Sequence, residues 1–118
     1  ERLRATAPVN VCLDTCHTHV AGYDLVSPEG YEETMAKIAA TIDFEAVKVW
    51  HCNDAKAARG SKLDRHEHIG KGTMGVEPFR RLLNDVRFAH SAFVAETPVD
   101  QPDDEERNVR VLKGLVRN

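Results

Sequence analysis

Three short apolar runs, each ending on a residue that can hold a metal ion and each followed by an amphipathic stretch, constrain this chain most. Val9 to Leu13 (VNVCL) leads into Asp14, Ala46 to Trp50 (AVKVW) into His51, and Ala92 to Ala95 (AFVA) into Glu96. Such runs, rich in Val and aromatic residues, read as buried strands. A helix follows each. Ser27-Pro28-Glu29 offers a capping hydroxyl, a first-turn proline and an acid at the positive dipole end, ahead of a stripe of Tyr31, Met35, Ile38, Ala39 and Ile42. Glu77-Pro78 opens a second helix with Phe79, Leu82, Leu83 and Val86 on one face. Asp103 to Glu106 lead into a third, with Val109, Leu112, Leu115 and Val116 apolar and Arg110, Lys113 and Arg117 toward its negative end. The acidic cluster Asp100 to Glu106 is read as a solvated helix start. Between the second strand and the second helix, a polar loop from Asn53 to Gly75 is rich in charge and glycine. Strand and helix alternating three times imply an α/β fold with parallel strands and right-handed crossovers.

Length and composition narrow the class further. A chain of 118 residues, 42% hydrophobic and 30% charged, fits one globular domain or a piece of one. It opens on Glu1-Arg2-Leu3-Arg4 without an initiating Met, which reads as the tail of a helix in a fragment of a longer protein. No apolar run approaches the roughly 20 residues of a membrane span, and no signal segment stands at the start. The net charge of −3 excludes a globally basic nucleic-acid binder but leaves room for a local basic patch. Three cysteines without a C-x-x-C pair argue against a disulfide framework or a cysteine-rich finger, so a reducing, cytoplasmic setting is expected.

In parallel α/β architectures the functional site lies at the carboxyl ends of the strands. Asp14, His51 and Glu96 at three successive strand ends should therefore face one pocket, and this oxygen and nitrogen set suits zinc or manganese. His17 leaves the first strand on a turn, and the long loop adds Asp64-Arg65-His66. Taken singly, Asp-x-x-His is more often a hydrogen-bonded turn and His51 could be a satisfied core histidine; their coincidence at strand ends favours metal. Cys12, Cys16 and Cys52 read as small buried hydrophobes. His19 and His68 could touch the site, but with His90 they read as surface residues. The loop also carries Lys56, Arg59, Lys62 and Arg65, which read equally well as solvated loop charges or as contacts to phosphates.

VCLDTCHTHVAGYDL, together with HCNDAKAARGSKLDRHEHIGKGTMG, resembles the endonuclease IV family of zinc-dependent apurinic/apyrimidinic endonucleases, AP endonuclease family 2. The loop carries its signature: Asn53-Asp54, Gly60-Ser61, Asp64-Arg65-His66 and Gly70-Lys71-Gly72. The resemblance implies a (β/α)8 TIM barrel, of which residues 1–118 would be the C-terminal three β-α units, about strands 6–8. It implies three zinc ions in the full-length enzyme, with manganese an alternative. Asp14, His51 and Glu96 resemble the ligands of one zinc in a bridged pair. His17, Asp64 and His66 resemble the ligand set of the third, and Arg65 a residue aimed at the DNA backbone. These six ligands would be catalytic through their metals. Two further histidines and a bridging glutamate belong to earlier strands and are not found in this sequence. The implied activity is cleavage 5′ to abasic sites in double-stranded DNA, leaving a 3′-hydroxyl and a 5′-deoxyribose phosphate, and removal of 3′ blocking groups. The full-length enzyme would be a monomer away from membranes. This chain alone would be inactive, with exposed strand edges prone to aggregation. The rival readings are a divalent-metal sugar isomerase or epimerase on a related barrel, and a decayed chain that only binds DNA or a partner. Asp64-x-His66 speaks against the isomerase, since a single metal needs no second ligand group.

Overall fold

The computed structural model describes residues 10–117. Val9 and the expected helix tail at Glu1 to Arg4 lie outside the described residues. β1 (Val11–Asp14) runs directly into α1 (Thr15–Val20), and α2 (Pro28–Thr41) leads through a 3-10 turn to β2 (Val47–His51). Within the long loop, β3 (Asp54–Ala55) and β4 (His66–Glu67) pair antiparallel. α3 (Glu77–Leu83), a second 3-10 turn (Val86–Phe88), β5 (Ala92–Val94) and α4 (Asp104–Leu115) complete the order. β1, β2 and β5 form a parallel sheet in that order, as three β-α units of a barrel require.

Register decides which side chains share a face. Asp14 lies opposite His51, and His51 opposite Val94. Cys12 lies opposite Val49, and Val49 opposite Ala92. Side chains in one row point to one side, and so do residues two apart along a strand. This sheet face is the one a closed barrel would turn inward. It is open here: Cys12, expected to be buried, is exposed, as are Ala92 and Val94. The row Leu13–Trp50–Phe93 faces the core. There Trp50 and Phe44 both meet Phe88 edge to face, with ring centroids 5.4 Å apart in each pair. Fully burying an aromatic or aliphatic side chain of this kind contributes about 1.5–3 kcal/mol.

α2 begins where its sequence says it should. Ser27 Oγ accepts the Gly30 N–H at 3.0 Å with Pro28 in the first turn, and Tyr31 and Met35 are buried on the inner face. Three expectations are corrected. α1 is a helical segment rather than a plain turn: Asp14 caps it by accepting the His17 N–H at 3.0 Å. Val86 has left the α3 stripe for the 3-10 turn and is 86% exposed. Asp104 is not solvated: it is buried, accepts the Gln101 N–H and pairs with Arg107 at 2.8 Å. Among the described residues, β1 and β5 each pair on one side only. An apolar groove of about 270 Å³ beside β1 touches Leu13, Ala21, Ile38 and Ile42. Another of about 350 Å³ beside β5 touches Phe93, Ala95, Val109 and Leu112.

The long loop folds around one buried carboxylate. Asp54 Oδ1 accepts the N–H groups of Ala55 (2.8 Å) and Met74 (2.9 Å). Its Oδ2 accepts those of Gly70 (3.0 Å), Gly72 (3.0 Å) and Gly75 (3.2 Å). The glycines permit this convergence. A Cβ on Gly72 would lie 2.3 Å from the Ala55 carbonyl oxygen, and Gly70 turns at φ +86°. Asp54→Ala leaves these donors without their acceptor, and bonds to a charged group are worth about 1.5–3 kcal/mol each before compensation. Urea unfolding of the variant is expected to show a loss of about 3 kcal/mol or more; a loss below about 0.5 kcal/mol, the range of an ordinary surface substitution, would contradict this role.

Candidate metal centre

Two groups of ligand atoms meet at the carboxyl ends of the parallel strands. In the first, atoms of Asp14, His51 and Glu96 lie within 4.8 Å of one another. Asp14 and His51 end neighbouring strands in register, and Glu96 follows Val94 by two residues on the same face. His51 Nδ1 abuts the Glu96 carboxylate. The second group holds Asp14, Cys16, Asp64 and His66, again within 4.8 Å. Asp14 belongs to both groups.

His66 is oriented for ligation. Its Nδ1–H donates to the Glu96 carbonyl at 2.8 Å, which leaves the Nε2 lone pair facing Asp14 Oδ2 (3.5 Å) and Asp64 Oδ1 (3.7 Å). β3 and β4 hold it there by pairing Ala55 with His66. His17 stands at the rim. Its side chain is 70% exposed and its Nδ1 lies 3.2 Å from Asp64 Oδ2. One position earlier on α1, Cys16 takes the inner place instead, fully buried with its thiol 3.4 Å from the Arg65 carbonyl oxygen. Burial and the neighbouring Asp64 push the Cys16 thiol up to about 12. Burial would raise the Asp64 carboxyl, but hydrogen bonds from Cys16 and His17 and the nearby His66 outweigh it and hold the group below its usual range.

The donor set fits a divalent cation. Carboxylates this close repel one another unless positive charge lies between them. Imidazole and carboxylate atoms bind zinc at about 2.0–2.2 Å, so two such bonds span most of the observed separations.

The basic candidates divide. Arg65 sits between the ligands Asp64 and His66 and is exposed, as are Lys56 and Lys62. Arg59 is tied back, with its Nη1 3.2 Å from Asp24 Oδ2. The loop itself is fastened to the end of α1: Gly60 N–H donates to His19 O (3.2 Å) and Lys62 N–H, at φ 63°, to Val20 O (2.9 Å). His19 is therefore not a surface residue. It is buried, with Nε2 3.0 Å from Thr73 Oγ1. His68 is held by Asn108 at 2.9 Å, and His90, though exposed, lies 3.1 Å from Val47 O.

In the sequence Asn53 stands out only as a letter of the loop motif. It is fully buried at this centre. Its Nδ2 donates to Asp14 Oδ2 at 3.1 Å and its Oδ1 accepts the Glu96 N–H at 2.7 Å.

Residues 1–115 match the model of the xylose isomerase-like TIM barrel family. The chain belongs to that family. Among relatives in it, the chain is 44% identical over 108 residues to the probable endonuclease 4 of Solibacter usitatus, covering 92% of this chain and 37% of that protein. It is 46% identical over 110 residues to the probable endonuclease 4 of Chloroflexus aggregans, covering 92% of this chain and 38% of that protein. It is 42% identical to the apurinic-apyrimidinic endonuclease 1 of Schizosaccharomyces pombe, covering 90% of this chain and 31% of that protein. The crystal structure of endonuclease IV from Thermus thermophilus superposes with a TM-score of 0.81 at 35% identity, over 94% of this chain and 40% of that one. The chain thus spans about two fifths or less of the length of the proteins it matches. In a xylose isomerase-like barrel the carboxyl ends of the strands form the working face, where both ligand groups lie.

Thiol chemistry checks the placement of the cysteines. Cys12 is exposed, whereas Cys16 and Cys52 are buried with thiols pushed up to about 12. Partial burial and the nearby Glu96 and Asp14 carboxylates also raise the Cys12 thiol, so a thiol-disulfide reagent at pH 8 is expected to modify it slowly in the folded chain and the other two only after unfolding. Fast reaction of all three in the folded chain would contradict it.

Proposed function

We propose that this chain is the C-terminal part of a DNA repair endonuclease that cleaves 5′ to abasic sites and clears blocked 3′ ends. The observation that carries the reading is the convergence of two ligand groups, joined by Asp14, at the carboxyl ends of parallel strands. Residues 1–118 form part of one TIM-barrel domain in this reading. Asp14, His51 and Glu96 would hold one zinc ion, and His17, Asp64 and His66, with His17 turned inward, would hold another. A third zinc needs ligands from strands outside this chain, so the chain by itself is inactive. Manganese suits the same donors. The complete enzyme acts as a cytoplasmic monomer.

When held by these residues, zinc would supply a water that ionises near neutral pH and positive charge for the phosphate. The protein's part is placement. His66 is held by the Glu96 carbonyl with Nε2 toward the site, and Asp14 is held by two N–H donors. Arg65, exposed between two ligands, contacts the DNA backbone, with Lys56 and Lys62 on the same loop adding charge. Arg59 reaches phosphate only by leaving Asp24. An abasic nucleotide is poorly stacked, so its extrusion costs less than flipping a paired base.

The sugar isomerase or epimerase reading keeps the first ligand group but has no use for the second. The presence of Asp64 and His66 beside it favours the nuclease, and so do the names of the relatives. In the complete protein, His66→Ala is expected to lower incision at an abasic site about 100-fold or more, since loss of a mere support of a ligand already costs about 10–100-fold, and to reduce bound metal. Near wild-type incision with full metal content would sink the assignment.

A further inference from the structure

We propose that Asn53 is a positioning residue that sets the geometry of the Asp14–His51–Glu96 metal site; the inference rests on the metal-site reading above. A buried amide is costly unless its polar atoms are satisfied. Every bond made by Asn53 goes to a segment that carries a ligand. Its Nδ2 donates to Asp14 Oδ2 at 3.1 Å, at the end of β1. Its Oδ1 accepts the Glu96 N–H at 2.7 Å, beyond the end of β5. Its main chain is clasped by Thr15 Oγ1, which accepts the Asn53 N–H (2.8 Å) and donates to the Asn53 carbonyl (2.7 Å). Asn53 itself follows His51 by two residues. One side chain therefore ties the three ligand-bearing strand ends together. Its donor, with the His17 N–H on Asp14 Oδ1 at 3.0 Å, fixes the rotation of the Asp14 carboxylate and directs the lone pairs left over.

Only an amide of this length does both tasks. Aspartate keeps the acceptor for the Glu96 N–H but loses the donor and sets a carboxylate against Asp14. Asn53→Asp in the complete protein therefore separates positioning from support of the fold. Cobalt(II) titration followed by absorption is the readout, because the visible bands report coordination geometry. The variant is expected to alter the cobalt bands of the Asp14–His51–Glu96 site and to change its affinity by about 10-fold or more, while occupancy at His17, Asp64 and His66 is kept. Unchanged affinity and bands in a folded variant would overturn the proposal. A wild-type protein that binds no cobalt would overturn the metal-site reading beneath it. If Asn53→Asp does not fold, the side-chain amide of Asn53 in the wild-type protein is followed by NMR. Its signals are expected to shift when zinc is added, and signals that stay fixed would overturn the proposal.

Discussion

The buried Asp54 carboxylate fixes the long irregular segment between β2 and α3, and the second ligand group depends on it. Residues 53–75 carry much charge and no apolar stripe from which to fold. Their shape comes from main-chain donors gathered on one acceptor: Ala55 at one end, and Gly70, Gly72, Met74 and Gly75 at the other. With both ends pinned, the short β3–β4 pair closes and sets His66 opposite Ala55. The middle of the loop is then fastened to α1 through Gly60 and Lys62. Asp64 and His66 thereby acquire fixed positions relative to Asp14, which arrives on a different element.

Asp14 is the hinge between the two groups. It ends β1, caps α1, accepts from Asn53 and faces His66. Its neighbours Asp64 and Glu96 bring further carboxylate charge to the same place, which a divalent cation would offset.

Much of this was legible in the sequence because it follows from period and position. The strands and α2 were marked by apolar runs, a capping serine and a proline. Parallel order followed from alternation, and parallel order alone sends Asp14, His51 and Glu96 to one end of the sheet. What escaped notice has short length or distant partners in common. α1 is six residues long and has no apolar stripe of its own. β3 and β4 are two residues each. That Cys16 takes the inner place while His17 meets Asp64 from the rim is a matter of one position on a helical turn, beyond what spacing resolves. Val86 and Asp104 departed from their patterns because a 3-10 turn and an Arg107 pair intervene locally. Asn53 and Asp54 could be read only as motif letters, since their bonds reach residues up to 43 and 21 positions away. Cys12 was misjudged for a different reason: the strand hides it only where the inner face of a barrel is covered.

The central claim is that these strand ends and this loop hold metal ions at two neighbouring places, with Asp14 between them. Anomalous diffraction at the zinc edge, on crystals of the complete protein grown with zinc, tests it most directly. The account predicts one peak bounded by Asp14, His51 and Glu96 and another bounded by Asp64, His66 and an inward-turned His17. No peak at either place, or zinc held by the cysteines instead, would contradict it.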